Sequence, residues 1–184
     1  YLGWRHSRIA GADYDRFVDR FVRAIKKKYP KVLLQWEDFG KENARRLLDR
    51  YRGQILSFND DIQGTAAVSL AAILAGLKET KQKLTDQKIA ILGAGSAGTG
   101  IADLIVQAMT SQGLSREQAR GRIYMVDRNG LIHFNSASVS DTQRPYMQPH
   151  QHLADWKTAN FDHVTMEEVI ENAKPTILIG GSAQ

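Results

Sequence analysis

Four carboxylates and a glycine-rich turn are the residues of this chain whose types and spacing could do chemistry. Glu37 and Asp38 are adjacent, and Asp60 and Asp61 are adjacent within Ser57-Phe58-Asn59-Asp60-Asp61-Ile62-Gln63-Gly64-Thr65-Ala66. One Asp before a helix is ordinary capping; two call for a further reason. Carboxylates that converge with no Cys or His beside them suit a hard divalent ion such as Mg²⁺ or Mn²⁺, with coordination positions left for water or substrate. Acidic pairs are also ordinary solvated surface, so residue types alone leave both readings open.

The second feature is Gly93-Ala94-Gly95-Ser96-Ala97-Gly98, a G-x-G-x-x-G pattern. Placed after a strand and before a helix, Gly93 permits a tight turn and Gly95 lets backbone amides approach a pyrophosphate. Gly98 then lets helix and strand pack closely. The helix start at Ser96-Ala97 adds partial positive charge for phosphates. Asp127 ends the following strand, where an acidic residue would bond the hydroxyls of an adenine ribose. It lies 29 residues after Gly98, against a usual interval of roughly 20, and the Gly113–Gly121 connection accounts for the excess. Asp127 could equally cap the turn before Asn129-Gly130. Arg128 beside it could meet a 2′-phosphate, so NAD and NADP both stay open.

The elements that must position these residues follow from hydrophobic period and punctuation. Phe17, Val18, Phe21, Val22 and Ile25 predict a helix over 13–28 that Pro30 stops. Residues 32–36 read as a short buried strand, 41–51 as an amphipathic helix, and 65–78 as an Ala- and Leu-rich helix buried between layers. Strands are expected at 88–92, 123–127 and 176–179, with helices from the glycine turn to about Gln112 and at 166–172. The stretch 128–160 is polar and irregular. Alternating strands and helices after residue 85 predict an α/β fold with a doubly wound parallel sheet. Only three of its usual about six strands are visible. A first residue Tyr1 and an ending Gly180-Gly181-Ser182 straight after a strand also suggest a piece of something longer. The expected division is 1–58, part of an α/β substrate and metal domain, and 59–184, a nucleotide-binding domain incomplete at its C-terminus.

Composition narrows the partners. The chain of 184 residues is 42% hydrophobic and 24% charged, as expected of a soluble globular protein. Its surplus of 25 basic over 20 acidic residues is mild. The densest basic run, Lys26-Lys27-Lys28, suits a helix C-terminus, so no nucleic-acid partner is expected. There are no cysteines, which excludes disulfides and thiolate metal sites. No run approaches the roughly 18 apolar residues of a membrane span, and no secretory signal is visible. No membrane association is expected. His150-x-His152 reads as solvated loop, and the Phe17, Phe21 and Ile25 stripe as core or subunit interface.

Three stretches together carry a family likeness. Leu34-Gln35-Trp36-Glu37-Asp38-Phe39, Phe58 to Ala67, and Leu92 to Gly98 resemble the malic enzymes, and the likeness runs in register over nearly the whole chain. Only about 131–162 is hard to align. The resemblance implies oxidative decarboxylation of L-malate to pyruvate and CO₂ with reduction of NAD, in a Rossmann-type domain, with Mn²⁺ or Mg²⁺. It implies Glu37, Asp38 and Asp61 as metal ligands, and Asp60 as the carboxylate that holds and tunes a catalytic lysine. Gly93, Ala94, Gly95, Ser96, Ala97 and Gly98, with Asp61 and Asp127, are implied at the cofactor. The family's base lysine and acid tyrosine lie upstream of the matching segment, so turnover of malate by these 184 residues alone is not expected. The point that decides between NAD and NADP falls near Gln143 and Arg144; the absence of lysine there favours NAD. Malolactic enzyme shares the motifs and is the rival reading, as is a non-catalytic NAD-binding module. The resemblance further implies a homo-oligomer, dimer or tetramer, in the cytoplasm, or in mitochondria for a eukaryotic source.

Overall fold

The computed structural model describes residues 5–181. Tyr1 and Ser182, on which part of the expectation of a longer protein rests, lie outside them. Chain order gives α1 (Gly11–Lys28), β1 (Leu34–Trp36), α2 (Lys41–Tyr51), β2 (Ser57–Asn59), a single π-helical turn (Asp60–Gly64) and α3 (Thr65–Glu79). Then follow β3 (Ile89–Leu92), α4 (Ser96–Ser111), α5 (Arg116–Arg120), β4 (Ile123–Asp127), β5 (Gly130–Leu131), α6 (His150–Leu153), α7 (Met166–Ala173) and β6 (Ile177–Gly180).

The first part is built around β1 and β2, which pair in parallel with Trp36 opposite Asn59. Val18 and Val22 of α1, Leu47 and Tyr51 of α2, and Trp36 close a small core on this pair. Trp36 stacks on Tyr51 with ring centroids 5.6 Å apart. The Tyr51 phenol donates to Asp19, and burial pushes its pKa up to about 12, an effect the hydrogen bond reinforces. The face of α1 that packs is the Val18–Val22 face, with Ile25 partly buried against it. Phe17 is 60% and Phe21 43% exposed, so the aromatic part of the expected stripe points outward.

The second part is a four-stranded sheet ordered β5-β4-β3-β6. β3 pairs in parallel with β4 and with β6, and β5 is an antiparallel edge. Alternate residues feed two layers, as strand geometry requires. Ile89, Ile91, Ile123 and Met125 pack against α4 and the start of α3. Ala90, Tyr124 and Val126 face Leu153, Val164 and Val169 on the other side. Helices on both faces of a mostly parallel sheet make it doubly wound.

Two elements depart from sequence expectation. β2, too short to stand out by periodicity, exists because β1 offers it a partner. Helix α3 forms as expected but is not buried between layers: Ala66 and Leu77 are its buried residues, and Val68 is 73% and Leu74 40% exposed. The irregular stretch after β5 is held by buried Ile132, His133, Tyr146, Gln148 and Leu153, with Gln148 donating to Ile123 O at 2.6 Å. Among the described residues no helix is long and apolar enough to cross a membrane.

Candidate metal and dinucleotide site

Parallel pairing of β1 and β2 explains why the two acidic pairs meet. Trp36 and Asn59 are register partners at the carboxyl ends of both strands, so Glu37 and Asp60, the next residues of each chain, leave the sheet side by side. Carboxylate oxygens of Glu37, Asp60 and Asp61 all lie within 4.8 Å of one another. Gln35 donates to Glu37 and orients it from the strand. Three hard oxygen donors with no nitrogen or sulfur ligand among them fit Mn²⁺ or Mg²⁺.

Asp38 lies outside that trio. Its φ of 53° puts it in the left-handed region, which Asp tolerates better than most residues. The turn aims it, exposed, along a cleft of about 470 Å³ lined with Tyr14, Asn43 and Arg46.

The Asp60-Asp61 turn is capped by a residue that sequence reasoning missed. Asn59 is fully buried; its side-chain oxygen accepts from Ile62 N at 2.9 Å, while its own N–H donates to Gln63 Oε1 at 3.1 Å. With Asn59 as cap, neither aspartate is consumed in capping. The Thr65 N–H reaches back to Asp60 O, closing the π turn, a device often found at functional sites. A Cβ at Gly64 would lie 2.5 Å from Asp60 Oδ1, so a larger residue there would push the Asp60 carboxylate aside. The Asx and Gln pattern N-x-x-x-Q was the available signal.

This acidic corner abuts the cofactor turn. A methyl group at Gly100, on the second turn of α4, would sit 2.5 Å from Ile62 O, so bare backbone brings the π turn against α4. The β3–α4 turn has Gly93 at φ 111°, and a Cβ on Gly98 would lie 1.9 Å from Gly93 O. At Gly95 a Cβ would meet nothing within 4 Å. The fold itself does not need that glycine; the space it leaves is what an approaching pyrophosphate needs. No side chain caps α4, so the first amides, at Ser96, Ala97 and Gly98, point unpaired toward that space.

Beside the turn lies a cavity of about 640 Å³, lined with Gly93, Ala94, Gly95, Asp127, Arg128 and Gln143. Asp127 Oδ1 accepts from Asn129 N at 2.8 Å, so it does brace the Asn129-Gly130 turn. Its other oxygen faces Gln143 Nε2 at 3.5 Å. Gln143 is buried and also donates to Ala94 O at 2.9 Å, tying the long loop to the glycine turn. On the outer side, the Tyr146 hydroxyl donates to Asp103 at 2.6 Å, and burial raises its pKa strongly. Arg45 of α2 reaches the other oxygen of Asp103 at 3.4 Å, linking the two parts of the chain.

A parallel sheet with a glycine turn at its carboxyl edge and an acidic residue ending the next strand defines a dinucleotide-binding domain, here with a carboxylate cluster alongside. Residues 62–184 match the family described as "Malic enzyme, NAD binding domain", and residues 1–52 match "Malic enzyme, N-terminal domain". The chain belongs to the malic enzyme family. It is 53% identical over all 184 residues to the NAD-dependent malic enzyme of Proteus mirabilis and 52% identical to that of Photorhabdus laumondii, spanning 32% of each. The solved malic enzyme of Entamoeba histolytica matches 90% of this chain and 31% of its own, at 25% identity and a TM-score of 0.67. The Thermotoga maritima NAD-dependent malic enzyme shares the fold over 95% of this chain and 41% of its own, at 22% identity and a TM-score of 0.69. The chain thus spans about a third of the length of the curated relatives it matches.

Proposed function

We propose that this chain supplies the divalent-metal and cofactor sites of an NAD-dependent malic enzyme, which converts L-malate to pyruvate and CO₂ with reduction of NAD. The observation that carries the reading is the convergence of Glu37, Asp60 and Asp61 on a π turn packed against the helix that opens with the glycine turn. Glu37, Asp38 and Asp61 are assigned as ligands of Mn²⁺ or Mg²⁺. Asp38, exposed and next to Glu37, joins by turning from its cleft toward the trio. The ion would supply Lewis-acid polarisation of the substrate oxygens.

The chain's own residues do the rest of what is derivable. Asp60, braced over Gly64, is assigned to hold and tune the cationic form of a lysine, as a carboxylate neighbour favours that form. Asp61 stands where the metal and the nicotinamide end of the cofactor would meet. Gly93 through Gly98 hold the pyrophosphate by backbone amides, and Asp127 takes the adenine ribose hydroxyls. A 2′-phosphate there would face the Asp127 carboxylate, and no lysine stands at Gln143 to offset it, which favours NAD over NADP. A homo-oligomer and a cytoplasmic location are proposed with the activity, and the functional boundary is placed between residues 58 and 59.

Titration of the chain with Mn²⁺ and with NAD tests the assignment. Asp61→Asn is expected to weaken Mn²⁺ binding at least tenfold. Unchanged Mn²⁺ affinity in that variant, or wild-type chain that takes up no NAD, would refute it.

A further inference from the structure

A polar loop can hold a side chain at a binding pocket only if something else holds the loop. Gln143 has every arm of its amide in use. Its Oε1 accepts from Ser140 N at 3.0 Å, and its Nε2 donates to Ala94 O at 2.9 Å and faces Asp127 at 3.5 Å. Its backbone is set by the 3₁₀ turn Arg144–Tyr146, in which Tyr146 N–H bonds Gln143 O at 2.9 Å. The turn is pinned in its place by the Tyr146 side chain, which is 1% exposed in the core under α4.

The Tyr146 hydroxyl has one partner, Asp103 of α4, at 2.6 Å. Burial, reinforced by that bond, raises the phenol pKa strongly, so the group stays a protonated donor. The second Asp103 oxygen meets Arg45 Nη1 at 3.4 Å, and Arg45 is itself oriented along α2 by Asp49 at 3.0 Å. A cation on the far side keeps the carboxylate ionised and aimed at the phenol. Arg45 also shares a cavity of about 180 Å³ with Ile62 of the π turn, Ala94 and Gly95 of the glycine turn, and Ser140 and Thr142 of the loop. Asp103 is thus the point where α2, α4 and the cofactor loop are joined by side chains.

We propose that Asp103 is a positioning residue for the cofactor: through Tyr146 it fixes Gln143 against the glycine turn and the ribose carboxylate, and through Arg45 it makes that placement depend on helix α2 of the metal-side segment. The role rests on the cofactor reading above. The carboxylate trio does not touch this brace, so Mn²⁺ serves as an internal control.

Calorimetric titration of NAD, and separately of Mn²⁺, into the chain and three variants tests the proposal. Tyr146→Phe keeps the ring in the core and removes the donor; Asp103→Asn keeps the size and removes the charge. Each is expected to weaken NAD by about three- to tenfold, as loss of one hydrogen bond to a charged group felt at one remove would, and to leave Mn²⁺ affinity unchanged. Arg45→Met is expected to weaken NAD severalfold alone and to add nothing to Asp103→Asn, because both act through one carboxylate. Unchanged NAD affinity in the single variants, strictly additive losses, or NAD and Mn²⁺ weakened together would overturn the role. If circular dichroism shows Asp103→Asn unfolded, Arg45→Met and Tyr146→Phe complete the same cycle. Hydrogen exchange in the chain without ligand reads the brace independently. In Arg45→Met the amides of Gln143 and Tyr146 should exchange at least about tenfold faster while that of Ile89 in the sheet is unchanged; equal exchange at all three sites in variant and wild type would refute it. A wild-type chain that binds no NAD would count against the function proposed above and leave the exchange result readable.

Discussion

Gly98 and Gly95 separate two kinds of necessity at the residue scale. Gly98→Ala forces a methyl to 1.9 Å from Gly93 O, so backbone must move. A destabilisation of about 1–3 kcal/mol, the range for overpacking, is expected in urea melts, together with weaker NAD binding. Gly95→Ala meets open space and should melt like the wild type while losing NAD affinity at least tenfold. A Gly95→Ala chain that binds NAD normally would show that the space is not the pyrophosphate's. The carboxylates divide in the same way. Asp38→Asn and Asp60→Asn, compared in Mn²⁺ titrations, should weaken binding more in the first variant. The reverse order would move the third ligand from Asp38 to Asp60, its neighbour in the observed trio.

Elements explain what single residues do not. The segment 128–160 reads as irregular because its order comes from scattered anchors, Gln143, Tyr146 and Gln148, each held by a partner 16 or more positions away in sequence. Gln143→Lys would place a cation beside Asp127 and the ribose. It should shift preference toward NADP by about tenfold, as a close opposite charge of order 1.4 kcal/mol would. Competitive titration of NAD and NADP reads this, and an unchanged ratio would relocate the discrimination to Arg128 or Arg144.

Helix α7 carries an electrostatic prediction. Glu168 accepts from the N–H groups of Thr165 and Ala159, which hold its pKa below the ordinary 4.5. A depressed carboxylate stabilises the fold above its unfolded pKa, and that contribution fades as pH falls through the folded value. Glu168→Gln should therefore lower the urea midpoint at pH 7 and differ less from wild type at pH 3. Parallel curves at both pH values would mean that the capping box contributes no pH dependence.

For the whole molecule, binding and stability are one measurement. A ligand that selects the folded state adds about 2.7 kcal/mol at 100 times its Kd. In a chain of this size that is a rise in Tm of about 5–10 °C. NAD should produce it, and the Gly95→Ala chain, with its affinity at least tenfold lower, should show about half of that rise or less at the same NAD concentration. A rise equal in both chains would place the NAD contact elsewhere.

The sequence alone determined the local chemistry. The glycine spacing after an apolar run, the β-branched strands and the family likeness of three stretches were enough for a doubly wound domain and for both candidate sites. These are short-range properties, carried by backbone sterics and hydrophobic period. Only the tertiary structure decided which carboxylates meet, because that depends on the parallel register of two three-residue strands with 20 residues between them. It also decided that α3 keeps an apolar face exposed, since burial belongs to the neighbours a helix finds and not to its own composition. The brace at Asp103 was invisible in the sequence for the same reason. Tyr146 stands 43 positions from Asp103 and Arg45 stands 58, and it is the packing of α2 and of the cofactor loop on α4 that makes them neighbours.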